Sequence, residues 1–388
     1  MGIVPTDHPI RVANIIEEGK LGGPQVRIAM VASSLKGKVE TTVIMPSQNS
    51  ELFRERCDEL GVSYKAIFMT RITKEWRTML GYILFFPFEV LRLVKLIHSG
   101  RYDIVHVSGG SWQYKGAIAG KLTGCKVIWH LNDTQMPAMF RIIYTKLSFL
   151  ADAYLYSSER TKKYYKSFSK KNRPDFIILP PVDTIFFHPE YRLTLDEELE
   201  SQWVGKLVVG TIANINPIKG IETFIKMASH YCKKSEDVVF VVVGPVYERQ
   251  RKYYEKLVLL ARDMRVSLSF IGGRTDTRSI LKRFDIYVCS SISESGPMTL
   301  FEAMAMGKAI VSTNVGDVSV LINHNHNGFI VDAGDHVAMA EYVHVLAENK
   351  VLAKMFGSRS REVAIKRLDV SICAEKHFKA YKAVAGIY

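Results

Sequence analysis

Short apolar runs with little polar alternation recur along the chain, separated by stretches whose apolar positions repeat every three to four residues. In the first half the runs are Ile10–Ile16, Thr42–Met45, Ile104–Val107, Lys126–His130, Ala153–Tyr156 and Phe176–Leu179. In the second they are Leu207–Ile212, Val238–Val243, Leu268–Ile271, Ile286–Cys289 and Ala309–Ser312. Runs rich in β-branched residues fit strands buried on both faces. Between them, Ile221–Tyr231, Glu248–Met264 and Thr277–Phe284 carry helical periodicity. Alternating strands and helices predict a parallel, doubly wound α/β sheet. The pattern occurs twice, so the chain reads as two Rossmann-like domains. The break lies near residues 180–206, where Pro180-Pro181 end a strand, Pro189 follows and Leu193–Gln202 is polar and acidic. The expected division is 1–185, a linker over 186–205, a second domain over 206–365 and a last helix over 366–388. Two such domains facing each other would bring the carboxyl ends of both sheets to one cleft.

A length of 388 residues agrees with two domains, and 47% hydrophobic with 23% charged residues is ordinary globular composition, which excludes a disordered or collagen-like chain. Cys57, Cys125, Cys232, Cys289 and Cys373 are scattered without a CxxC pair, as free thiols of a reducing compartment are. The N-terminus has no signal-like apolar stretch, and the uncharged run Thr78–Phe88, interrupted by Pro87, is too short to span a bilayer. These features predict a cytoplasmic protein, peripheral at most on the cytoplasmic face of the membrane.

The net charge of +13 suits nucleic acid, anionic lipid or phosphorylated substrates, so its distribution matters more than its size. Within Gln135–Pro174 nine Lys or Arg meet only Asp152 and Glu159. Trp76–Ile97 is aromatic and aliphatic with a few cations, and Arg141–Arg173 mixes Tyr and Phe with many cations. Such segments suit an anionic membrane surface and lipid-linked acceptors, or else a core helix followed by a solvated basic face. No nucleic-acid recognition module is present, so nucleic acid is not an expected partner.

The most specific segment is Ser290–Gly307, SSISESGPMTLFEAMAMG, directly after the strand Ile286–Cys289. Gly296 and Pro297 mark a turn, Pro suits the start of a helix, and Gly307 suits its end. Glu294 then sits in the loop and Glu302 just over one turn into the helix. Amides exposed at such a helix start attract phosphate, whereas nearby carboxylates are suited to neutral hydroxyls of ribose or a sugar.

Glu294, seven residues, then Glu302 followed by Ala303-Met304-Ala305 and Gly307 resembles the signature of the retaining GT-B glycosyltransferases, family four. In that family the second Glu binds the donor's ribose and the first contacts the transferred sugar. The Gly296-Pro297-Met298-Thr299 stretch between them also resembles the family. So do Gly22-Gly23-Pro24, near the donor phosphates, and Val182-Asp183 with Phe187 and Pro189. Further matches are Lys219-Gly220, Gly272-Gly273-Arg274 with Asp276 at the nucleotide base, Val315-Gly316 and Asn327-Gly328. The resemblance implies a GT-B fold, with residues 366–388 crossing back to the first domain. It makes Lys219 a cation for the departing diphosphate, and Gly22 and Gly23 a backbone free to approach it.

Two positions depart from the family. Asn214 stands where an Arg is usual, which points to Arg274 or Arg249 as substitutes. In Trp129-His130-Leu131-Asn132-Asp133, Asn132 holds the usual His place and His130 lies two residues earlier, on the same strand face. His130 is therefore the candidate group toward the sugar, and His106, ending the strand in Asp103–Val107, is the second candidate. There is no Asp-x-Asp, Walker or GxSxG motif, and His324 with His326 completes no zinc set. No metal or cofactor is expected beyond the nucleotide-sugar donor.

The sequence thus predicts a retaining hexosyl- or N-acetylhexosaminyl-transferase. It would move a sugar from a UDP- or GDP-sugar to an acceptor hydroxyl of a lipid-linked, polysaccharide or lipopolysaccharide precursor. The alternatives are an epimerase or phosphorylase on the same fold, and a non-catalytic sugar-nucleotide-binding assembly subunit.

Overall fold

The apolar runs form two all-parallel sheets in the computed structural model, which describes residues 9–73, 76–134, 136–192, 197–232, 237–274 and 276–387. Two compact units contain them: residues 1–181 with 370–388, and residues 182–369.

In the first unit the elements are β1 (Ile10–Ile15), α1 (Gly23–Ser34), β2 (Val39–Pro46), α2 (Glu51–Glu59), β3 (Ser63–Ile67), α3 (Trp76–Gly100) and β4 (Ile104–Val107). They continue with α4 (Tyr114–Leu122), β5 (Lys126–Leu131), α5 (Ala138–Leu147), β6 (Ala153–Tyr156), α6 (Glu159–Tyr165) and β7 (Asp175–Ile177). The strand order is β3-β2-β1-β4-β5-β6-β7. β1 therefore lies between β2 and β4, and the order reverses beside it.

The second unit begins with α7 (Glu197–Trp203), β8 (Leu207–Ile212), α8 (Ile221–Cys232), β9 (Val238–Val243), α9 (Arg251–Asp263), β10 (Leu268–Phe270) and α10 (Arg278–Arg283). β11 (Ile286–Cys289), α11 (Met298–Ala305), β12 (Ala309–Thr313), α12 (Val318–Leu321), β13 (Phe329–Val331), α13 (His336–Glu348) and α14 (Lys350–Arg367) complete it. Its order is β10-β9-β8-β11-β12-β13, with the reversal between β8 and β11. Doubly wound sheets bind ligands outside the carboxyl ends of the strands at such a reversal.

The last helix, α15 (Val370–Ala385), belongs to the first unit, where Cys373, Ala374, Tyr381 and Val384 pack with Ile10, Ile104 and Ile128. Its start at Val370 replaces the expected 366, because Lys366 and Arg367 are the last turn of α14. The described part of the expected linker is not a free connection. Trp203 is fully buried and its carbonyl accepts from Arg283, so α7 is part of the second unit. Residues 193–196 of the acidic stretch lie outside the described residues.

β3 and β13 were not anticipated. β3 is an edge strand whose residues are exposed or half-buried and include Lys65, so it lacks an apolar run. β13 is a three-residue edge strand. The expected helix Glu248–Met264 is broken into a 3-10 turn, Glu248–Gln250, and α9.

One buried charge cluster fastens α3 to the first sheet. Lys115 at the start of α4 is fully buried, with Nζ 2.6 Å from Glu89 of α3 and 3.4 Å from Glu17 after β1. It also donates to the Thr70 carbonyl at 2.5 Å and lies 4.0 Å from the Tyr82 ring centre. Thr70 closes the set, its amide and hydroxyl donating to Glu89 at 2.8 and 2.9 Å. Removing one partner of a buried pair leaves the other charges uncompensated. Lys115→Ala is therefore expected to cost about 3–5 kcal/mol in equilibrium denaturation. The exposed pair Arg56–Glu59, at 2.7 Å, sets the comparison: Arg56→Ala is expected to cost less than about 1 kcal/mol. Equal losses would contradict the assignment.

Candidate active site

The second unit places its candidate residues through a close approach of two loops. After β8 the chain enters a 3-10 turn, Pro217–Lys219, in which Asn216 Oδ1 accepts from the Ile218 amide at 3.0 Å. Gly220 follows in the left-handed region, φ 61°, and a Cβ there would lie 2.1 Å from the Ser290 carbonyl oxygen. Only glycine lets this loop lie on the loop after β11. The Ile292 amide donates to the Ile218 carbonyl at 2.7 Å, and Ser290 Oγ donates to the Lys219 carbonyl at 3.1 Å. Lys219 Nζ thereby meets the Glu294 carboxylate, which also accepts from Ser291 Oγ at 3.1 Å. The pair is partly open: the side chains are 24% and 15% exposed. On the other side Gly316, φ 54°, lets the loop after β12 approach the Ser295 carbonyl, which a Cβ would meet at 2.8 Å.

Glu294, Gly296 and Pro297 lead into α11, whose first residues are Met298 and Thr299. Thr299 Oγ1 donates to the Ile212 carbonyl at 2.8 Å and is 2.8 Å from the Tyr287 hydroxyl, which ties α11 to β8 and β11. Glu302, one turn on, faces a cavity of about 270 Å³ at the carboxyl ends of β8 and β9. Asn214, Gly244, Arg274, Asp276 and Thr299 also line it. Burial pushes the Glu302 carboxyl up to about 8. Such a carboxyl is poised between a neutral donor and a charged acceptor near neutral pH, which suits hydroxyl partners. Asp276 is held below the usual carboxylate range by hydrogen bonds from Arg278. Arg274 thus shares the cavity with Asn214, whereas Arg249, in the turn Glu248–Gln250, is not among its lining residues.

The candidates of the first unit stand at the carboxyl end of its own sheet. Gly22 caps α1 with φ −158°, an extended conformation open to any residue, and Gly23 is the first residue of that helix. Neither conformation nor packing therefore demands glycine at Gly22, where a Cβ would meet only Gln25 Oε1 at 3.4 Å. His130, near the end of β5, is only 3% exposed. Its Nδ1 is 3.1 Å from His106 Nε2, and His106 Nδ1 is 2.7 Å from the Tyr381 hydroxyl of α15. His377 of α15 lies against both rings. His130 Nε2 and Asn132 Oδ1 have no hydrogen-bond partner among the described residues, and both side chains line a small cavity of about 10 Å³. Arg27 lines it too, its guanidinium donating to the Ile178 carbonyl at 2.7 Å. Burial, reinforced by the Arg27 charge, lowers His106 to about 3 and holds His130 and His377 well below the usual imidazole range.

Two family models cover most of the chain: "Glycosyltransferase Family 4" matches residues 21–186 and "Glycosyl transferases group 1" matches residues 198–363. The chain belongs to the family 4 glycosyltransferases. Its two sheets have the GT-B architecture. Anabaena Alr3699/HepE in complex with UDP and glucose superimposes with a TM-score of 0.81 at 18% identity, over 96% of this chain and 99% of that one. A glycosyltransferase from Rickettsia africae gives 0.80 at 19% identity, over 97% and 98%. The poly(ribitol-phosphate) alpha-N-acetylglucosaminyltransferase of Staphylococcus aureus is 27% identical over 45% of this chain and 35% of its own length. The Escherichia coli UDP-Gal:alpha-D-GlcNAc-diphosphoundecaprenol alpha-1,3-galactosyltransferase is 23% identical over 68% and 71%. A lipopolysaccharide core mannosyltransferase of Rhizobium leguminosarum is 25% identical over 60% and 64%. The chain thus spans from about a third to about seven-tenths of these relatives.

Two parts of this family 4 chain escaped the sequence reading. Gly244-Pro245 lines the cavity directly after β9, where a Cβ on Gly244 would lie 1.9 Å from the Ala213 carbonyl oxygen. A Gly-Pro pair ending a buried valine run was a readable signal for it. Of the cluster of Arg27, His106, His130 and His377, the sequence offered only the two strand histidines, and nothing in it joined them to Arg27 on α1 or His377 on α15.

Between the ordinary histidine range and about 3, the unfolded chain binds protons that the buried rings refuse, so stability must fall as pH drops below about 6.5. Each such histidine contributes up to about 1.4 kcal/mol per pH unit. The denaturation midpoint is expected to be lower at about pH 5 than at about pH 7.5, with a shallower dependence in His130→Gln. Equal slopes in both proteins would contradict the buried neutral cluster.

Proposed function

We propose that this glycosyltransferase moves a sugar from a nucleoside diphosphate sugar to a hydroxyl of a lipid-linked or surface polysaccharide precursor, with retention of anomeric configuration. The observation that carries the reading is Glu302 in a cavity at the carboxyl ends of β8 and β9, with the Lys219–Glu294 pair presented by the loops after β8 and β11. Relatives named for undecaprenyl-diphosphate-linked and lipopolysaccharide acceptors support the acceptor class. The likeness to a fold that holds UDP-glucose in Anabaena HepE agrees with the donor class.

In this reading the nucleoside occupies the cavity and the Glu302 carboxyl takes the ribose hydroxyls. Lys219 turns from Glu294 to the diphosphate, and the amides at the start of α11 add positive potential. Glu294, released, accepts from a sugar hydroxyl. The bond between the anomeric carbon and the diphosphate oxygen breaks as the acceptor oxygen attacks the same face. The departing phosphate oxygen takes the acceptor proton, so no protein nucleophile is needed. Arg274 supplies the cation that Asn214 lacks, and Gly296, Pro297, Met298 and Thr299 set the helix start. Gly22, Gly23 and His130 are included as the first unit's groups for phosphate and sugar. Protein cations stand in place of a metal, so turnover should persist in EDTA, and the protein works in the cytoplasm, peripheral on the cytoplasmic face of the membrane.

A panel of UDP-, GDP- and ADP-sugars tests it. One donor should be slowly hydrolysed alone, with the released sugar's first-formed anomer matching the donor. Above about pH 8, where the carboxyl is charged, Glu302→Ala should lower kcat/KM by about ten- to a hundredfold, the loss expected for hydrogen bonds to a charged group. Donor affinity should rise as pH passes through about 8 and Glu302 becomes a double acceptor, and Glu302→Gln should abolish that rise. Conversion of a donor to its epimer without acceptor, or binding without turnover over an acceptor panel, would overturn the transferase reading.

A further inference from the structure

α3 has two apolar faces, and only one of them is used by the fold. Its inner face buries Val90, Leu93 and Ile97 in the first unit's core and pairs Glu89 with Lys115. Its outer face carries Trp76, Leu80, Ile83, Leu84, Phe88 and Leu91, each between 56% and 67% exposed. At 3.6 residues per turn these six fall within one sector of about 140°. That sector of a surface helix is ordinarily polar. Phe68, 44% exposed and edge-on to Phe85 at 5.7 Å, widens the apolar surface.

We infer that this outer face of α3 is a preformed interfacial docking surface for a bilayer with anionic headgroups. Charge decides between that occupant and a second copy of the chain. The only acid from Trp76 to Gly100 is Glu89, which is buried against Lys115, so the outer face carries no negative charge. Arg92 and Lys95 border it in the next turn, both exposed. α5 in the same unit also turns Met139 and Ile142 outward, 57% and 58% exposed, beside Arg141 and Lys146. A second copy would bring the same cations and a further +13 charge to the contact, whereas anionic lipid attracts them. No helix among the described residues is long and apolar enough to cross a membrane, so α3 lies in the interface plane. The Lys115 cluster holds the helix in place before contact, so binding does not have to order its backbone. This surface extends the lipid-linked acceptor of the proposed function and rests on that reading for its use, but docking itself requires neither donor nor acceptor.

The full chain is sedimented with vesicles of phosphatidylcholine, with and without phosphatidylglycerol, at low and high salt. Vesicles containing phosphatidylglycerol should capture the native chain, less so at high salt. Trp129 and Trp203 are fully buried and Trp112 is partly so, which leaves Trp76, 67% exposed, to report insertion by a blue shift in emission. Trp76→Phe should still bind and lose the shift. The double variant Leu84→Glu, Phe88→Glu should bind at least about tenfold less while keeping its far-ultraviolet circular dichroism and melting temperature. Capture of native and double variant alike, capture independent of phosphatidylglycerol, or no capture at all would overturn the inference. So would a vesicle-free dimer that the double variant dissolves, which would assign the face to a second copy. Because no sugar nucleotide is present, each of these results leaves the donor-site reading standing.

Discussion

The contact of the Gly220 backbone with the Ser290 carbonyl is the constraint on which the second unit's site depends. A side chain at Gly220 has no room, and the left-handed turn there ends the 3-10 turn that carries Lys219. Through that contact the chain after β8 and the chain after β11 act as one surface. The ion pair of Lys219 with Glu294 follows from it, and Thr299 then fixes α11, with Glu302, to the end of β8. Sheet topology supplies the place, because β8 and β11 flank the reversal in strand order.

The two units handle charge in opposite ways. In the first, charges are sealed: Lys115 is enclosed by Glu17, Glu89, Thr70 and Tyr82, and the histidines near Arg27 are kept neutral by burial. Such groups hold elements in place and resist exchange of partners. In the second unit the Lys219–Glu294 pair stays partly open to water, so its attraction is modest and an arriving diphosphate can compete for the lysine. A carboxyl such as Glu302, raised by burial to about 8, gains from hydroxyl partners that restore what desolvation removed.

Much of this was legible in the residues. Valine- and isoleucine-rich runs announced the central strands because strands covered on both faces need no polar alternation. The spacing of Glu294, Pro297, Glu302 and Gly307 located α11 and its loop. β3 and β13 were illegible for different reasons: β3 is a polar edge strand without an apolar run, and β13 is apolar but only three residues long. Trp203 showed how one aromatic in an acidic stretch can tie a supposed linker into a core. The histidine cluster was hidden because sequence distance hides contact: His377 lies beside rings on β4 and β5 only after α15 has packed. The two faces of α3 looked alike as sequence, and exposure alone tells them apart.

The central claim is that Glu294 holds Lys219 until a diphosphate replaces it. Calorimetric binding of the nucleoside diphosphate alone, without its sugar, tests this most directly in the native chain, Lys219→Met and Glu294→Gln. Losing a charge-assisted contact should weaken binding in Lys219→Met by about tenfold or more. Glu294→Gln frees the lysine, so its binding should equal or exceed that of the native chain. Unchanged binding in Lys219→Met, or equal losses in both variants, would contradict the account.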